Sequence, residues 1–244
     1  MILITRPKNE SLILAKELDS KNLKTYIEPL VSFDYYPKKI NFNSKKKFVV
    51  SSLQAAHVLN INKDKYKDII INGNFLVVGN KVYLKLKEIG VQKIIKHFKT
   101  SDHLLKYLLK LKKTNLDITY LCGSIVNQDF INLLKYNKIK FQKKILYKIL
   151  PIKQLTDRCF YLIKKNKIDA VLLYSTYTAN LFIRLIKKHN LEPELERMHI
   201  LCLSKRISLE FKNTSMEKNV LYSRSPDQES LISLVVKKCS EFKH

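Results

Sequence analysis

Short apolar runs alternate with amphipathic segments along the whole chain, and this alternation narrows the choice of fold more than any other feature. The runs are Ile2–Ile4, Phe48–Val50, Phe75–Val78, Ile118–Leu121, Ala170–Leu173, His199–Leu203 and Val220–Tyr222. Each ends in a small or polar residue and is followed by helix-period spacing. Leu12, Ile13, Ala15 and Leu18 follow the first run, and Ala179, Phe182, Ile183 and Ile186 follow a later one. Strand runs without internal polar alternation are buried on both faces, and β and α units in strict succession build parallel sheets covered by helices.

The pattern repeats within the chain. Phe48-Val49-Val50-Ser51-Ser52-Leu53-Gln54-Ala55-Ala56 has the shape of Val171-Leu172-Leu173-Tyr174-Ser175-Thr176-Tyr177-Thr178-Ala179, and Leu76-Val77-Val78-Gly79-Asn80 that of Leu201-Cys202-Leu203-Ser204-Lys205. The opening segment, Ile2 to Leu18, resembles instead the stretch from Ile118 to Leu134. The expected architecture is therefore α/β, with two flavodoxin-like or Rossmann-like parallel-sheet domains. One domain is discontinuous, residues 1–36 with 151–244, and the other, 37–150, is inserted in it. The inserted core runs from about Ile40 to Lys144. Pro29–Pro37 and Ile145–Pro151, both bounded by proline, are expected to be extended connectors.

A length of 244 residues suffices for two such cores. No apolar run approaches the roughly 18 to 20 residues that span a bilayer. The opening Met1-Ile2-Leu3-Ile4-Thr5-Arg6-Pro7 turns polar too early for a signal peptide. Cys122, Cys159, Cys202 and Cys239 have no metal spacing and read as free thiols of a reducing, cytoplasmic compartment. The formal net charge of +25 raises nucleic-acid binding as a function. Only Arg6, Arg158, Arg184, Arg197, Arg206 and Arg224 among 46 basic residues are arginine, however, and the lysines are dispersed over every polar face. Nucleic acid and membrane are thus not expected partners. Surface composition from an AT-rich genome and steering of a polyanionic substrate both remain open as origins of the excess.

Four glycines, at 73, 79, 90 and 123, are too few for a nucleotide cradle, and the six histidines form no metal pattern. No cofactor is expected. What recurs is a strand ending in Ser, Gly or Thr just before a helix: Thr5-Arg6, Ser51-Ser52, Gly79-Asn80, Gly123-Ser124 and Ser175-Thr176. Taken singly, each reads as a helix cap or a tight turn. Together, at the carboxyl ends of strands in two domains, they read as an anion-binding cleft of N–H and hydroxyl donors.

These same segments resemble the uroporphyrinogen-III synthase family over nearly the whole chain. The resemblance is carried by Ile4-Thr5-Arg6-Pro7, Pro29-Leu30, Val50-Ser51-Ser52-Leu53-Gln54-Ala55, Val77-Val78-Gly79-Asn80 with Gly90, Tyr120-Leu121-Cys122-Gly123, Ile145-Leu146-Tyr147, Leu173-Tyr174-Ser175 and Ser225-Pro226-Asp227 leading to Leu231. Order and spacing carry it, since no single motif is specific. The chain departs from the family where Val82-Tyr83 replaces Thr-Ala and where Ser204-Lys205-Arg206-Ile207-Ser208 replaces a threonine-rich segment. Two expected hydroxyls are missing there, which leaves that anion contact to Lys205 or Arg206.

The resemblance implies a lyase of haem biosynthesis that needs no cofactor and works as a cytoplasmic monomer. Its substrate would be hydroxymethylbilane, with eight carboxylates, received from the upstream hydroxymethylbilane synthase. Loss of the terminal hydroxyl gives an azafulvene, the substituted carbon of ring D attacks it, and the spiro intermediate fragments so that ring D closes inverted. Tyr147 matches the family's cleft tyrosine and would act as acid; otherwise it is a structural tyrosine on a connector strand. Arg6 either pairs with a carboxylate or caps the first helix region. Ser225-Pro226-Asp227-Gln228 reads as a capping box with Pro at the first helical position. The rival functional reading is a non-enzymatic, two-lobed binding protein for an anion or a tetrapyrrole.

Overall fold

A computed structural model describes residues 1–35, 47–111 and 117–240. The expected domain boundary at residues 36 and 37, Pro37, the start of the inserted core at Ile40, the side chain of Cys239, and His244 lie outside the described residues. In chain order the elements are β1 (Ile2–Ile4), α1 (Lys8–Asp19), β2 (Thr25–Ile27), β3 (Val31–Tyr35), β4 (Lys47–Val50), α2 (Leu53–Ile61), α3 (Lys67–Asn72), β5 (Asn74–Val78), α4 (Asn80–Glu88), β6 (Lys93–Phe98), α5 (Ser101–Lys110), β7 (Ile118–Gly123) and α6 (Gln128–Tyr136). They continue with β8 (Phe141–Pro151), α7 (Asp157–Lys164), β9 (Ala170–Leu173), α8 (Thr176–Lys188), β10 (His199–Cys202), α9 (Lys205–Ser208), β11 (Val220–Tyr222) and α10 (Gln228–Ser240). Among the described residues no helix is long and apolar enough to cross a membrane.

The chain divides into two compact units, Met1–Ser32 with Leu150–His244, and Phe33–Ile149. The first holds a sheet in the order β11-β10-β9-β1-β2, and the second one in the order β3-β8-β7-β4-β5-β6. Pairing is parallel from β11 through to β2, and from β8 through to β6. β1 lies between β9 and β2 in register, with Ile2 beside Ala170 and Thr25.

Each sheet is apolar on both faces because its central strands carry no polar alternation. In the middle unit Phe48, Val50, Phe75, Val77 and Leu121 enter one cluster, with Ala55, Val58 and Leu59 of α2. The alternate residues Val49, Leu76, Val78, Tyr120 and Cys122 enter another, with Leu104 and Leu108 of α5 and Phe130 and Leu134 of α6. In the terminal unit Ile2, Ile4, Ala170, Leu172 and Leu201 pack under α1 and α10, while Leu3, Val171, Leu173, Ile200 and Cys202 are buried on the opposite face. Each fully buried aliphatic or aromatic side chain of this kind contributes about 1.5–3 kcal/mol.

The two passages of chain between the units are tied together on the terminal-unit side. The Ile152 N–H donates to the Leu30 carbonyl at 3.0 Å. Glu28, 3% exposed, accepts from both the N–H and the hydroxyl of Thr156 at 2.8 Å. Thr156 in turn caps α7 by accepting from the Cys159 N–H at 3.2 Å. A carboxylate thus occupies the positive end of α7, where such a charge is stabilised. The start of α10 differs from the expected capping box: Asp227, not Ser225, accepts from a helix N–H, that of Ser230, at 2.8 Å. The helix opens at Gln228, so Pro226 lies ahead of it.

Glu28→Gln keeps the size but turns one acceptor into a donor facing the Thr156 donors. It should lower unfolding stability by about 1–3 kcal/mol, read from urea melts of the two proteins. An unchanged midpoint would remove Glu28 from the stabilising set.

Candidate active site at the strand carboxyl ends

In each sheet the strand order reverses at one place, and there the carboxyl ends of two neighbouring strands leave a crevice. In the middle unit this is between β4 and β7, where the sheet runs outward through β5 and β6 on one side and through β8 and β3 on the other. In the terminal unit it is between β9 and β1. Seven of the expected site residues stand at these two places: Ser51, Ser52, Gly123 and Ser124 at the first, Arg6, Ser175 and Thr176 at the second.

The crevice of the middle unit opens into a pocket of about 270 Å³. Ser51, Ser52, Ser101, Tyr120, Asn127 and Tyr147 give it polar walls, and Val78, Ile125, Val126 and Phe130 apolar ones. Three helices begin around it. Ser52 caps α2, accepting from the Ala55 N–H at 3.4 Å. Ser101 is the first residue of α5. Asn127 caps α6 through the N–H groups of Asp129 and Phe130.

Tyr147 reaches this pocket through an irregularity in β8. Cys122 pairs with Ile145 and Gly123 with Tyr147, so Leu146 is skipped. Such a bulge re-aims the residues around it, and both Leu146 and Tyr147 are buried although they are adjacent. Ser124 secures the segment: its N–H donates to the Tyr147 carbonyl at 2.9 Å, and its hydroxyl accepts from the Ile149 N–H at 3.0 Å. The Tyr147 ring lies so close to Gly123 that a Cβ there would be 2.6 Å from it. Phe33 meets the ring edge-on at 5.5 Å. The Tyr147 hydroxyl is 2.6 Å from Ser52 Oγ. Burial pushes its pKa up to about 12, against the opposing pull of the Ser52 hydrogen bond, so the phenol is neutral at ordinary pH. The neighbouring Cys122 thiol is likewise raised by burial, to about 11.

Gly79 has φ +91°, a conformation that favours glycine, at the cap of α4; Asn80 follows, exposed, as the first residue of that helix. Neither lines the pocket.

In the terminal unit the Thr5 hydroxyl donates to the Leu172 carbonyl at 2.6 Å, bridging β1 to β9. Arg6 forms an ion pair with Glu10, donates to Gln228 Oε1 at 3.2 Å and stacks over the Tyr174 ring at 4.3 Å. Its charge is therefore balanced within the unit. Burial raises Tyr174 to about 12, with Arg6 opposing. Ser175 caps α8, accepting from the Thr178 N–H at 3.1 Å, and Thr176 is the first residue of that helix. Lys205 and Arg206 are exposed on the short α9. Two residues escaped the sequence reading: Tyr120, whose hydroxyl meets Ser51 at 2.7 Å, and Glu10, which takes up Arg6.

Two parallel-sheet α/β units, each with hydroxyl and N–H donors where its strand order reverses, define a two-unit protein of the doubly wound α/β class. The chain belongs to the uroporphyrinogen-III synthase family: the family model for "Uroporphyrinogen-III synthase HemD" matches residues 13–233. The fold is that of two solved structures. One is uroporphyrinogen-III synthetase from Helicobacter pylori, with 15% identity and a TM-score of 0.68 over 97% of this chain and 98% of that one. The other is a mutant uroporphyrinogen III synthase from Thermus thermophilus, with 11% identity and a TM-score of 0.64 over 98% of each chain. No curated protein matches the sequence significantly.

Gly123→Ala places a methyl group against the Tyr147 ring and should displace it from Ser52. The expected cost is about 1–3 kcal/mol of stability, together with loss of most turnover; a variant as stable and active as the parent would show that the ring can move aside freely. At high pH the same tyrosine gives a second check. An unfolded phenol ionises near pH 10.0 and this one near 12, so between those values the unfolded chain loses a proton that the folded chain keeps. Stability should fall as pH rises through that window, and Tyr147→Phe should remove roughly 2–3 kcal/mol of the fall. Equal alkaline losses in parent and variant would contradict this.

Proposed function

We propose that this chain cyclises hydroxymethylbilane to uroporphyrinogen III with inversion of ring D, and that Tyr147 assists departure of the terminal hydroxyl. The observation that carries the role of Tyr147 is its neutral, buried phenol beside Ser52, at the ligand end of a doubly wound sheet, in a chain of this family. The binding-protein alternative gains nothing from the family match.

The chemistry asks little of the protein. Pyrrole nitrogen lone pairs push the hydroxyl off as the C–O bond breaks, and the electron pair leaves with oxygen. A phenol near pKa 12 can transfer its proton to that oxygen, because the departing hydroxide is the conjugate base of water, whose pKa is about 15.7. Ser52 Oγ already accepts from the Ala55 N–H. With its own O–H directed at Tyr147, it leaves the phenol proton for the substrate and steadies the phenolate that follows. The proton that ring D releases as it regains aromaticity after the final closure restores the phenol, so only water is lost overall. The remaining task is positioning.

The other proposed contacts follow the strand ends: Ser51, Ser52, Gly79, Asn80, Gly123 and Ser124 in the middle unit, and Arg6, Ser175, Thr176, Lys205 and Arg206 in the terminal unit. For Arg6, a substrate carboxylate would have to take the place of Glu10. A cytoplasmic monomer that receives its substrate from hydroxymethylbilane synthase completes the reading. The compartment in that reading is supported by the three buried free thiols, Cys122, Cys159 and Cys202, which suit a reducing environment.

The test is incubation with enzymatically made hydroxymethylbilane and separation of type I from type III product. The parent should give type III. In single-turnover experiments Tyr147→Phe should slow ring closure by about 10- to 100-fold, keep type III as the main product and melt within a few degrees of the parent. Wild-type rates in the variant would remove the hydroxyl from the mechanism, and a fast variant making type I would make Tyr147 a positioning residue.

A further inference from the structure

The pocket contains a second hydroxyl pair that the mechanism above does not use. Ser51 and Ser52 are consecutive at the end of β4, so their side chains leave toward opposite faces of the sheet. Ser52 meets Tyr147, whose ring belongs to one apolar cluster, and Ser51 meets Tyr120, whose ring belongs to the other. Tyr120 is 6% exposed, stands on the central strand β7 and packs edge-on against Phe130 at 5.8 Å. A phenylalanine would fill the same space, so packing does not account for the hydroxyl.

Two hydroxyls that meet share one hydrogen bond but hold two protons, so one O–H remains available once the pair has formed. Tyr120 is buried while Ser51 is half-buried at the pocket wall, so the spare O–H can donate to a group that enters the pocket. The pair can thus offer a donor, the side chains lining the pocket carry no Lys, Arg, Asp or Glu, and the N-terminal residues Ser101 of α5 and Asn127 at the cap of α6 line it. Donors and positive helix ends suit an acceptor bearing negative charge. Burial raises the Tyr120 pKa, which keeps the phenol protonated and able to donate.

We propose that the Ser51–Tyr120 pair is a substrate-binding element that holds one side-chain carboxylate of the tetrapyrrole inside the middle unit. This rests on the functional reading above. The bilane carries carboxylates on every pyrrole, so a group of this kind is at hand whichever ring enters. The division of labour is between adjacent serines: Ser52 serves the acid, Ser51 the anchor.

Tyr120→Phe should raise KM for hydroxymethylbilane about tenfold, as loss of one hydrogen bond to a charged group implies. kcat should stay within about twofold, and the product should remain type III. Ser51→Ala should do the same, and the double variant should lose no more than either single one, because the pair acts as a unit. Uroporphyrin III, the stable oxidised form of the product, supplies a readout that needs no turnover. Its binding, followed by quenching of tyrosine fluorescence in a chain without tryptophan, should weaken about tenfold in both variants. Unchanged KM and unchanged uroporphyrin affinity, with only a lower melting temperature, would make the pair structural and overturn the proposal. Should Tyr120→Phe fold poorly, Ser51→Ala at its half-buried position decides the matter. If the parent forms no type III product, the functional reading fails, while the uroporphyrin titration still judges the anchor.

Discussion

The ring of Tyr147 lies against a residue that has no side chain, and the middle unit's site is arranged around that contact. A β-carbon at position 123 would overlap the ring. The skipped residue in β8 turns Tyr147 inward, Ser124 holds the following backbone, and Phe33 closes the far edge of the ring. Because each of these constraints acts on a different part of the side chain, the hydroxyl has one position, beside Ser52. A phenol fixed in this way does not need an unusual acidity to be useful. It needs a neutral environment that keeps the proton on it, and burial supplies one.

How much of this could be read from the amino acids depends on where a strand stands in its sheet. β1, β4, β5, β7, β9 and β10 are buried on both faces, and unbroken apolar runs mark them plainly. β2, β3, β6 and β8 stand at or beside sheet edges. In β6 the segment Lys93–Phe98 buries only its last residue, and in β8 the long Phe141–Pro151 buries only Leu146 and Tyr147. An edge strand satisfies its exposed side with lysine, and lysine in a chain this basic carries no signal. The parallel two-sheet class was legible because the central strands alone determine it.

Within the candidate site, residue types were legible and pairings were not. Ser52 and Ser175 announced themselves as caps, since a serine between a strand run and a helical period has few other uses. The tyrosine partners of the two adjacent serines come from distant parts of the chain: Tyr147 is 95 residues from Ser52, and Tyr120 is 69 from Ser51. Nothing local encodes such meetings. Arg6 shows the opposite case. Its partner Glu10 is one helical turn away, a spacing visible in the sequence, yet an arginine at a strand end invites a substrate carboxylate first. The abundant lysine proved uninformative about the pocket, which is lined without any.

The position of β1 sets an order of events during synthesis. Ile2, Leu3 and Ile4 leave the ribosome with β2 well ahead of the other strands of their sheet, yet they are flanked on one side by a strand, β9, that begins only at Ala170. Meanwhile the middle unit emerges whole, with all its own strands, and is free to fold while β1 still lacks its partner on that side. The terminal unit can close only when β9, β10 and β11 arrive, and loop closure over that span is slow. Until then a fully apolar strand and an amphipathic helix are exposed on the nascent chain. Once the tie between Glu28 and Thr156 forms, the loop that β9 has to close onto β1 is far shorter than the direct span from Ile4 to Ala170.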